Sequence, residues 1–285
     1  MVLVVSCAIK PVSKIPPPYP IGRVKADGYQ LVPILCYHDF GEKSRGPIQL
    51  TAKEFQEQME YLKNNEFKVI TLESFFNFIN MQEGLPEKSV VITIDDGWRF
   101  VYTIAYPILK RYGFPATLFI YTDFISNHSP AALTWEMIKE MSENGIDIQA
   151  HSKSHQRDMP WKKENETGKE YQKRIKNELL IPKNLIEKHT GKEVKYIAYT
   201  YGQFNEAFIQ AAKMYGYKGG LTVAGAKVKK GIRVKQTVNH LFVDPFEVRR
   251  VQIIAKRGLK RFAKKLKIFR HEIIYDGRYD NVFCQ

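Results

Sequence analysis

From residue 31 to residue 253, short apolar runs alternate with segments of helical periodicity. The clearest apolar runs are VPILCY (32–37), VVITI (90–94), ATLFIY (116–121), IDIQA (146–150) and VKYIAY (194–199). A continuous β-branched run such as VVITI is typical of a strand covered on both faces, and strands that alternate with helices indicate a parallel sheet. Seven or so β/α units without a long linker predict a parallel α/β architecture, for which an incomplete (β/α) barrel is the best fit. The chemistry of such a barrel lies at the C-terminal ends of its strands.

The remaining elements follow from the same patterns. We expect further strands at 67–71, 219–223 and 248–253, and helices at 51–65, 72–80, 101–112, 134–143, 170–189 and 204–215. Thr51 and Glu54 have the spacing of a capping box at the start of the first helix. No GxGxxG follows the first strand and no GxxxxGK[ST] occurs, so the sequence does not support a nucleotide-binding fold.

Composition narrows the class of protein. The chain of 285 residues has 44 Lys and Arg against 30 Asp and Glu, a net charge of +14, which favours anionic surroundings. Nucleic acid is not expected as a partner, because no nucleic-acid-binding motif accompanies the charge. Three cysteines at unrelated spacings exclude a disulfide scaffold and a CxxC zinc site. The sequence has no apolar run of 18 residues, so we expect no transmembrane helix.

The two ends of the chain carry different signals. MVLVVSC (1–7) is too short for a secretory signal, but its small residues before Cys7 resemble a bacterial lipobox; a frayed apolar N-terminus is the open alternative. Residues 1–28 also contain IPPPYP (15–20), which predicts an extended tether.

Residues 251–270 hold eight Lys and Arg and no acid. Their apolar residues recur at helical spacing, so we interpret them as a basic amphipathic helix, either on an anionic lipid or polymer surface or simply packed as a terminal helix.

Two polar clusters directly follow predicted strands. Asp95-Asp96-Gly97 comes after VVITI, and His151-Ser-Lys-Ser-His155 comes after IDIQA. Adjacent carboxylates at a strand end favour a positive partner such as a metal, although an Asp-Gly turn is the plain alternative. Histidines four apart lie on one face of a helical turn and can share one divalent ion. Together the clusters offer two imidazoles and a carboxylate, the donor set of a catalytic rather than a structural metal site.

Two weaker clusters lie at other strand ends. Tyr199-Thr200-Tyr201-Gly202 could present backbone N–H groups to a site, or could be aromatic packing at a turn. His38, after the first strand, is either a general acid or a surface histidine. Four polar clusters at four strand ends are a stronger signal than any one of them alone.

The motifs TIDDG (93–97), HSKSH (151–155) and YTYG (199–202) resemble, in this order and spacing, those of the polysaccharide deacetylases, the NodB-homology or carbohydrate esterase family 4 enzymes. The resemblance covers about residues 31–255 and includes NHLFVDPFEVRR (239–250). We therefore expect a catalytic domain at residues 29–255. The opening VPILCYH (32–38) is similar to the branch with poly-N-acetylglucosamine deacetylases. In that branch the motif order is permuted and the catalytic acid histidine comes first in the chain.

The resemblance implies a distorted (β/α) barrel and a role for each matching residue. Asp95 would be the general base, His38 the general acid, and the Tyr201 backbone N–H an oxyanion donor. The implied metal ligands are Asp96, His151 and His155. The metal would be divalent, zinc first, with cobalt, nickel or iron as alternatives. The implied substrate is an N-acetylated polysaccharide, which would place the protein in the cell envelope or outside the cell, with Cys7 as a potential lipid anchor.

The chain departs from the family pattern in its third motif. The usual Arg-x-Pro-Tyr-Gly has Ala198 and Thr200 in place of its Arg and Pro, and that Arg steadies the catalytic Asp. Our hypothesis is that Arg250 substitutes for it. His271 is not framed like the family's late Leu-His motif, so we give it no role. Two alternatives stay open: an amide hydrolase of another substrate, and a carbohydrate-binding envelope protein without turnover. The intact Asp-Asp and His-His pairs favour the enzyme.

Overall fold

A computed structural model describes residues 31–223, 227–229, 232–233, 239 and 243–266. Its strands are β1 (Ile34–Tyr37), β2 (Asp39–Gly41), β3 (Gln49–Thr51), β4 (Lys68–Ile70), β5 (Ser89–Asp96), β6 (Ala116–Ile120), β7 (Ile146–Ala150), β8 (Tyr196–Ala198), β9 (Gly219–Val223), β10 (Lys227–Lys229), β11 (Ile232–Arg233) and β12 (Val248–Gln252). Its α-helices are α1 (Ala52–Asn64), α2 (Leu72–Ile79), α3 (Tyr106–Tyr112), α4 (Thr122–Ser126), α5 (Trp135–Glu143), α6 (Gly168–Thr190), α7 (Glu206–Met214) and α8 (Gly258–Leu266). The predicted tether with Cys7, and His271, lie outside the described residues.

Seven parallel strands close into a barrel. The sheet runs β1-β12-β9-β8-β7-β6-β5, and β1 also pairs with β5, which closes the ring. β4 adds to the sheet beside the first half of β5. Because every one of these pairs is parallel and helices connect most of the strands, the prediction of a (β/α) barrel is confirmed. The ring closes with seven strands, one fewer than the eight of a full (β/α) barrel. The C-terminal ends of the strands therefore share one rim.

Local sequence explains where the helices start. The Thr51–Glu54 capping box forms as predicted, and Thr134 caps α5 by accepting the Met137 N–H. The predicted helix at 101–112 differs in its first part, where Val101–Ala105 makes a π-helical turn before α3 begins. The prediction missed α4 and the short strands β2, β3, β10 and β11, whose two to five residues are too few to show a period.

The barrel interior is apolar at one end and polar at the other. Helix α2 covers the end where the strands begin, and its Phe76 stacks on Tyr196 at a centroid distance of 4.2 Å. A Cβ at Gly219 would lie 2.2 Å from Phe76 Cε1, so only glycine allows this close approach. Side chains alternate along β5, so Val91 lies in this apolar layer and Asp95, four residues on, lies on the same face at the far rim.

The basic C-terminal helix begins later than the sequence indicated, and the described residues end at Leu266. Residues up to Gln252 belong to β12, and α8 spans Gly258–Leu266. Its apolar face packs on α1, where Phe262 meets Tyr61 edge-on at 6.0 Å between ring centroids. The structure thus shows the second of the two alternatives, a packed helix with a solvated basic face. Binding of this face to an anionic lipid or polymer stays a prediction. Among the described helices, none combines the length and apolarity needed to cross a bilayer.

Candidate functional site

The two predicted metal-binding motifs meet at the rim of the barrel. Asp96 ends β5, and His151 directly follows β7. Asp96 Oδ1 lies 3.6 Å from His151 Nε2 and 3.3 Å from His155 Nε2. The candidate ligand atoms of these three residues all lie within 4.8 Å of one another. The convergence predicted from strand ends therefore occurs in the structure.

The two histidines do not lie on a helical turn, so that part of the prediction is wrong. Residues 151–155 form a loop, with positive φ angles of 73° at Ser152 and 55° at His155. Left-handed residues break helical periodicity. The loop is fixed instead by side chains: Ser152 Oγ accepts a hydrogen bond from the His155 N–H at 3.0 Å.

His151 is held as a neutral imidazole with one nitrogen available. Its Nδ1–H donates to the Ala198 carbonyl at 2.8 Å, which leaves Nε2 facing the carboxylates. Burial lowers the pKa of His151 to about 4, although the nearby carboxylates oppose this. A carbonyl acceptor behind a ligating histidine fixes its tautomer and ring orientation, as is common at metal sites.

Asp96 is the carboxylate that most clearly lacks a partner. Its Oδ1 is buried and accepts no hydrogen bond within the described chain, while its Oδ2 accepts the indole N–H of Trp98 at 3.0 Å. Burial acts to raise the pKa of Asp96, but the neighbouring histidines outweigh it and the net shift is downward. A buried, ionised oxygen between two imidazole nitrogens fits a divalent cation, because two histidines and one carboxylate are a catalytic zinc donor set.

Asp95 Oδ2 lies 3.9 Å from His151 Nε2, but its carboxylate pairs with Arg250. The guanidinium donates from Nη1 to Oδ1 at 2.6 Å and from Nη2 to Oδ2 at 2.7 Å. Arg250 is fully buried, and it also donates to Thr93 Oγ1 at 3.2 Å. Burial acts to raise the pKa of Asp95, but the positive charge of Arg250 turns the net shift downward. The geometry is that required by the hypothesis that Arg250 replaces the missing motif Arg.

Tyr201 and His38 flank the site on two sides. Tyr201 has a φ of 55°, and its half-exposed ring lies 4.9 Å from the His155 ring between centroids. Arg157 covers the same tyrosine ring at 4.1 Å. His38 follows β1, and its Nδ1 is buried without a hydrogen-bond partner in the described chain. Both residues therefore lie beside the ligand set, while their roles as oxyanion donor and general acid stay predictions.

Sequence reasoning missed three residues that contact this centre or the loop between its two histidines. Trp98 binds Asp96 as described above. Cys36 Sγ lies 3.5 Å from Asp95 Oδ2. Glu178, on α6, accepts hydrogen bonds from the backbone N–H groups of Lys153 and Ser154 at 3.0 Å each, and from Ser154 Oγ at 2.6 Å.

A signal for Glu178 was present in the sequence. The buried positions of α6 include Ile175, Glu178, Leu179 and Ile186, so the glutamate falls on the apolar face of an amphipathic helix. A carboxylate there needs hydrogen-bond partners in the interior.

Comparisons with known proteins agree with this geometry. A family model described as polysaccharide deacetylase matches residues 82–220. YxkH of Bacillus subtilis (strain 168), named as a polysaccharide deacetylase, is 30% identical over 199 residues, which cover 70% of this chain and 67% of the relative. A poly-β-1,6-N-acetyl-D-glucosamine N-deacetylase of Staphylococcus epidermidis is 30% identical over 191 residues. That match covers 64% of this chain and 64% of the relative, so the chain spans less than two thirds of the staphylococcal protein.

Solved structures share the fold. The deacetylase PplD of Streptococcus pyogenes superposes with a TM-score of 0.71 at 23% identity, over 84% of this chain and 99% of the other. A polysaccharide deacetylase of Bacillus cereus superposes with a TM-score of 0.64 at 26% identity, over 84% of this chain and 69% of the other. The barrel is therefore shared with proteins of this kind over most of the described chain.

Proposed function

Because this chain belongs to the polysaccharide deacetylase family, we propose that it is a metal-dependent hydrolase that removes N-acetyl groups from an N-acetylglucosamine-containing polysaccharide. The observation that carries the proposal is the meeting of Asp96, His151 and His155 beside a separate, Arg-paired Asp95. One carboxylate is thus available to a metal while the next is available as a base. A pure binding protein has no need of both.

The proposed metal site is the one formed by Asp96, His151 and His155. A divalent ion there would polarise the amide carbonyl and lower the pKa of a water molecule. Zinc fits the donor set, and cobalt, nickel and iron are alternatives with the same donors. The other parts of the reaction fall to residues of the chain itself.

Asp95 is the proposed general base. Its pairing with Arg250 keeps the carboxylate ionised and fixes both of its oxygens, so that it can accept a proton at neutral pH. We assign the backbone N–H of Tyr201 as the donor to the developing oxyanion, a contribution that is typically about 3–4 kcal/mol. His38 is the proposed acid, which donates a proton to the departing amine because an unprotonated nitrogen leaves poorly.

The substrate we propose first is a β-1,6-linked N-acetylglucosamine polymer. The Staphylococcus epidermidis relative is named as a deacetylase of that polymer. The name supports the class of substrate and says nothing about the length of the polymer. Such a substrate would place the protein at the cell envelope or outside the cell. Mass spectrometry of the native protein tests the proposed anchor, because a lipid on Cys7 adds mass and an unmodified Cys7 behind an intact Met1 excludes it.

The experiment that tests the function is acetate release from β-1,6- and β-1,4-linked N-acetylglucosamine oligomers, with the metal content of each variant determined. We expect the wild type to release acetate, Asp95→Asn to keep its metal but lose activity, and His151→Ala to lose both. His189→Ala is the matched control, since His189 stacks on Trp135 and should keep metal and activity. Bound metal without acetate release from either oligomer would move the substrate elsewhere. Neither metal nor release would favour a carbohydrate-binding protein.

A further inference from the structure

A second group of metal-binding side chains lies next to the proposed one. Cys36, His38 and Asp95 offer one ligand atom each, and these atoms all lie within 4.8 Å of one another. Cys36 and Asp95 are both buried in the barrel, and the Cys36 Sγ–H donates to Asp95 Oδ2 at 3.5 Å. None of the three belongs to the ligand set of Asp96, His151 and His155.

One atom of this group lacks the partner that its burial demands. His38 Nδ1 is buried and has no hydrogen-bond partner among the described residues. A buried polar nitrogen without a partner is costly, and a cation bound through Nδ1 would satisfy it. Thiolate, imidazole and carboxylate together are donors that zinc and cadmium favour over magnesium or calcium.

Asp95 retains capacity for such a ligand despite its pairing with Arg250. The guanidinium takes one hydrogen bond at each carboxylate oxygen, whereas an ionised carboxylate has about four acceptor positions. The thiol of Cys36 uses a further position on Oδ2. A metal ion between Sγ and Oδ2 would replace the thiol proton, so the binding step consumes M²⁺ and releases H⁺ as the S–H bond breaks and the M–S bond forms.

We propose that Cys36, His38 and Asp95 form a second divalent-metal site, and that zinc bound there inhibits the enzyme. The inhibition rests on the proposed function, because Asp95 and His38 are the proposed base and acid. Once both are ligands, Asp95 cannot accept the water proton and His38 cannot donate to the amine. Metal at this site and catalysis exclude each other.

The binding half of the proposal can be tested without activity. Cobalt(II) is titrated into the metal-free full chain carrying Cys7→Ser and Cys284→Ser, so that Cys36 is the sole thiol. We expect two equivalents to bind, one of them with a thiolate-to-cobalt charge-transfer band in the near ultraviolet. Adding Cys36→Ser should abolish that band and one equivalent, whereas adding His151→Ala should abolish the other equivalent and keep the band. A single equivalent, or two without the band, would overturn the proposal.

Acetate release then tests the inhibition. The wild type should lose activity as zinc is raised beyond the first equivalent. Cys36→Ser and Cys36→Ala should show no such loss relative to their own activity at one equivalent, and urea unfolding verifies that both variants are folded. Equal zinc inhibition of the wild type and both variants would refute the inhibitory role. A chain that shows the cobalt–thiolate band but releases no acetate without excess zinc would keep the second site and refute the deacetylase function, so the two failures are distinguishable.

Discussion

Replacing Arg250 with methionine tests how the proposed base is held. Arg250 has no exposed surface and donates two hydrogen bonds to Asp95, at 2.6 and 2.7 Å. Removing one partner of such a buried pair typically costs about 3–5 kcal/mol, because the remaining charge is left buried without compensation. We therefore expect the free energy of unfolding to fall by about that amount in urea denaturation.

The same change should separate catalysis from metal binding. Without the guanidinium, burial dominates and the pKa of Asp95 rises, so the base is protonated over more of the neutral range. We expect acetate release to drop strongly at neutral pH and the acidic, ascending limb of its pH profile to move to higher pH. The hydrogen bonds of Arg250 reach Asp95, Thr93 and the Thr222 carbonyl rather than Asp96, His151 or His155. The metal held by those three residues should therefore stay at the wild-type level.

Two further variants decide whether the reasoning is right. Arg174→Met removes another arginine–carboxylate pair, with Glu166 at 2.7 Å, and should leave acetate release unchanged. Combining Arg250→Met with Asp95→Leu removes both buried charges, and should recover much of the lost stability while activity stays absent. Wild-type acetate release and pH profile in Arg250→Met would refute the role of Arg250. A double variant no more stable than the single one would refute charge burial as the cause.

Three further changes test the surroundings of the metal ligands. Trp98→Phe removes the indole N–H that donates a hydrogen bond to Asp96, so metal affinity should fall about 10–100-fold. Competition with a chromophoric chelator measures the affinity. An unchanged affinity would show that this hydrogen bond does not position Asp96. Glu178→Ala leaves two backbone N–H groups without their acceptor, so amide hydrogen exchange in residues 152–155 should accelerate. Glu178→Gln keeps an acceptor, and its exchange should stay near the wild-type rate. Equal acceleration in both variants would show that these hydrogen bonds do not hold the loop. The metal-free protein should lose stability as the pH falls from about 6.5 to about 4. Burial lowers the pKa of His151 to about 4 in the folded chain, so the unfolded chain takes up the proton first. Urea unfolding at a series of pH values checks this, and the dependence of the unfolding free energy on pH should flatten in His151→Gln.

The parts of the fold that the sequence predicts are those governed by neighbours along the chain. β-branched runs such as VVITI become buried strands, and the Thr51–Glu54 spacing becomes a capping box. The meeting of Asp96 with His151 and His155 was also predictable. Parallel strands end at one rim, so polar residues that follow different strands are brought together whatever their separation in sequence.

The parts that escaped prediction depend on which face a buried residue occupies. β1 reads ILCY, with all four residues buried, so no polar alternation distinguishes the inner face from the outer one. Cys36 could therefore not be placed beside Asp95 from sequence alone. The loop of HSKSH escaped for a different reason. Its backbone, with positive φ angles, is held by hydrogen bonds to Glu178 of α6, a residue distant in sequence, as well as by the local bond to Ser152.

The closure of the barrel explains why one centre draws on both ends of the described chain. β1 lies between β5 and β12, with Cys36 level with Thr93 on one side and with Gln252 on the other. Asp95 lies two residues beyond Thr93, and Arg250 two residues before Gln252, so alternation points both side chains to the inner face that Cys36 occupies. The first strand of the barrel thus joins the strands that carry the proposed base and its arginine. Any change that weakens the pairing of β1 should disturb the Asp95–Arg250 pair together with His38, and leave the ligand set that depends on β5 and β7 in place.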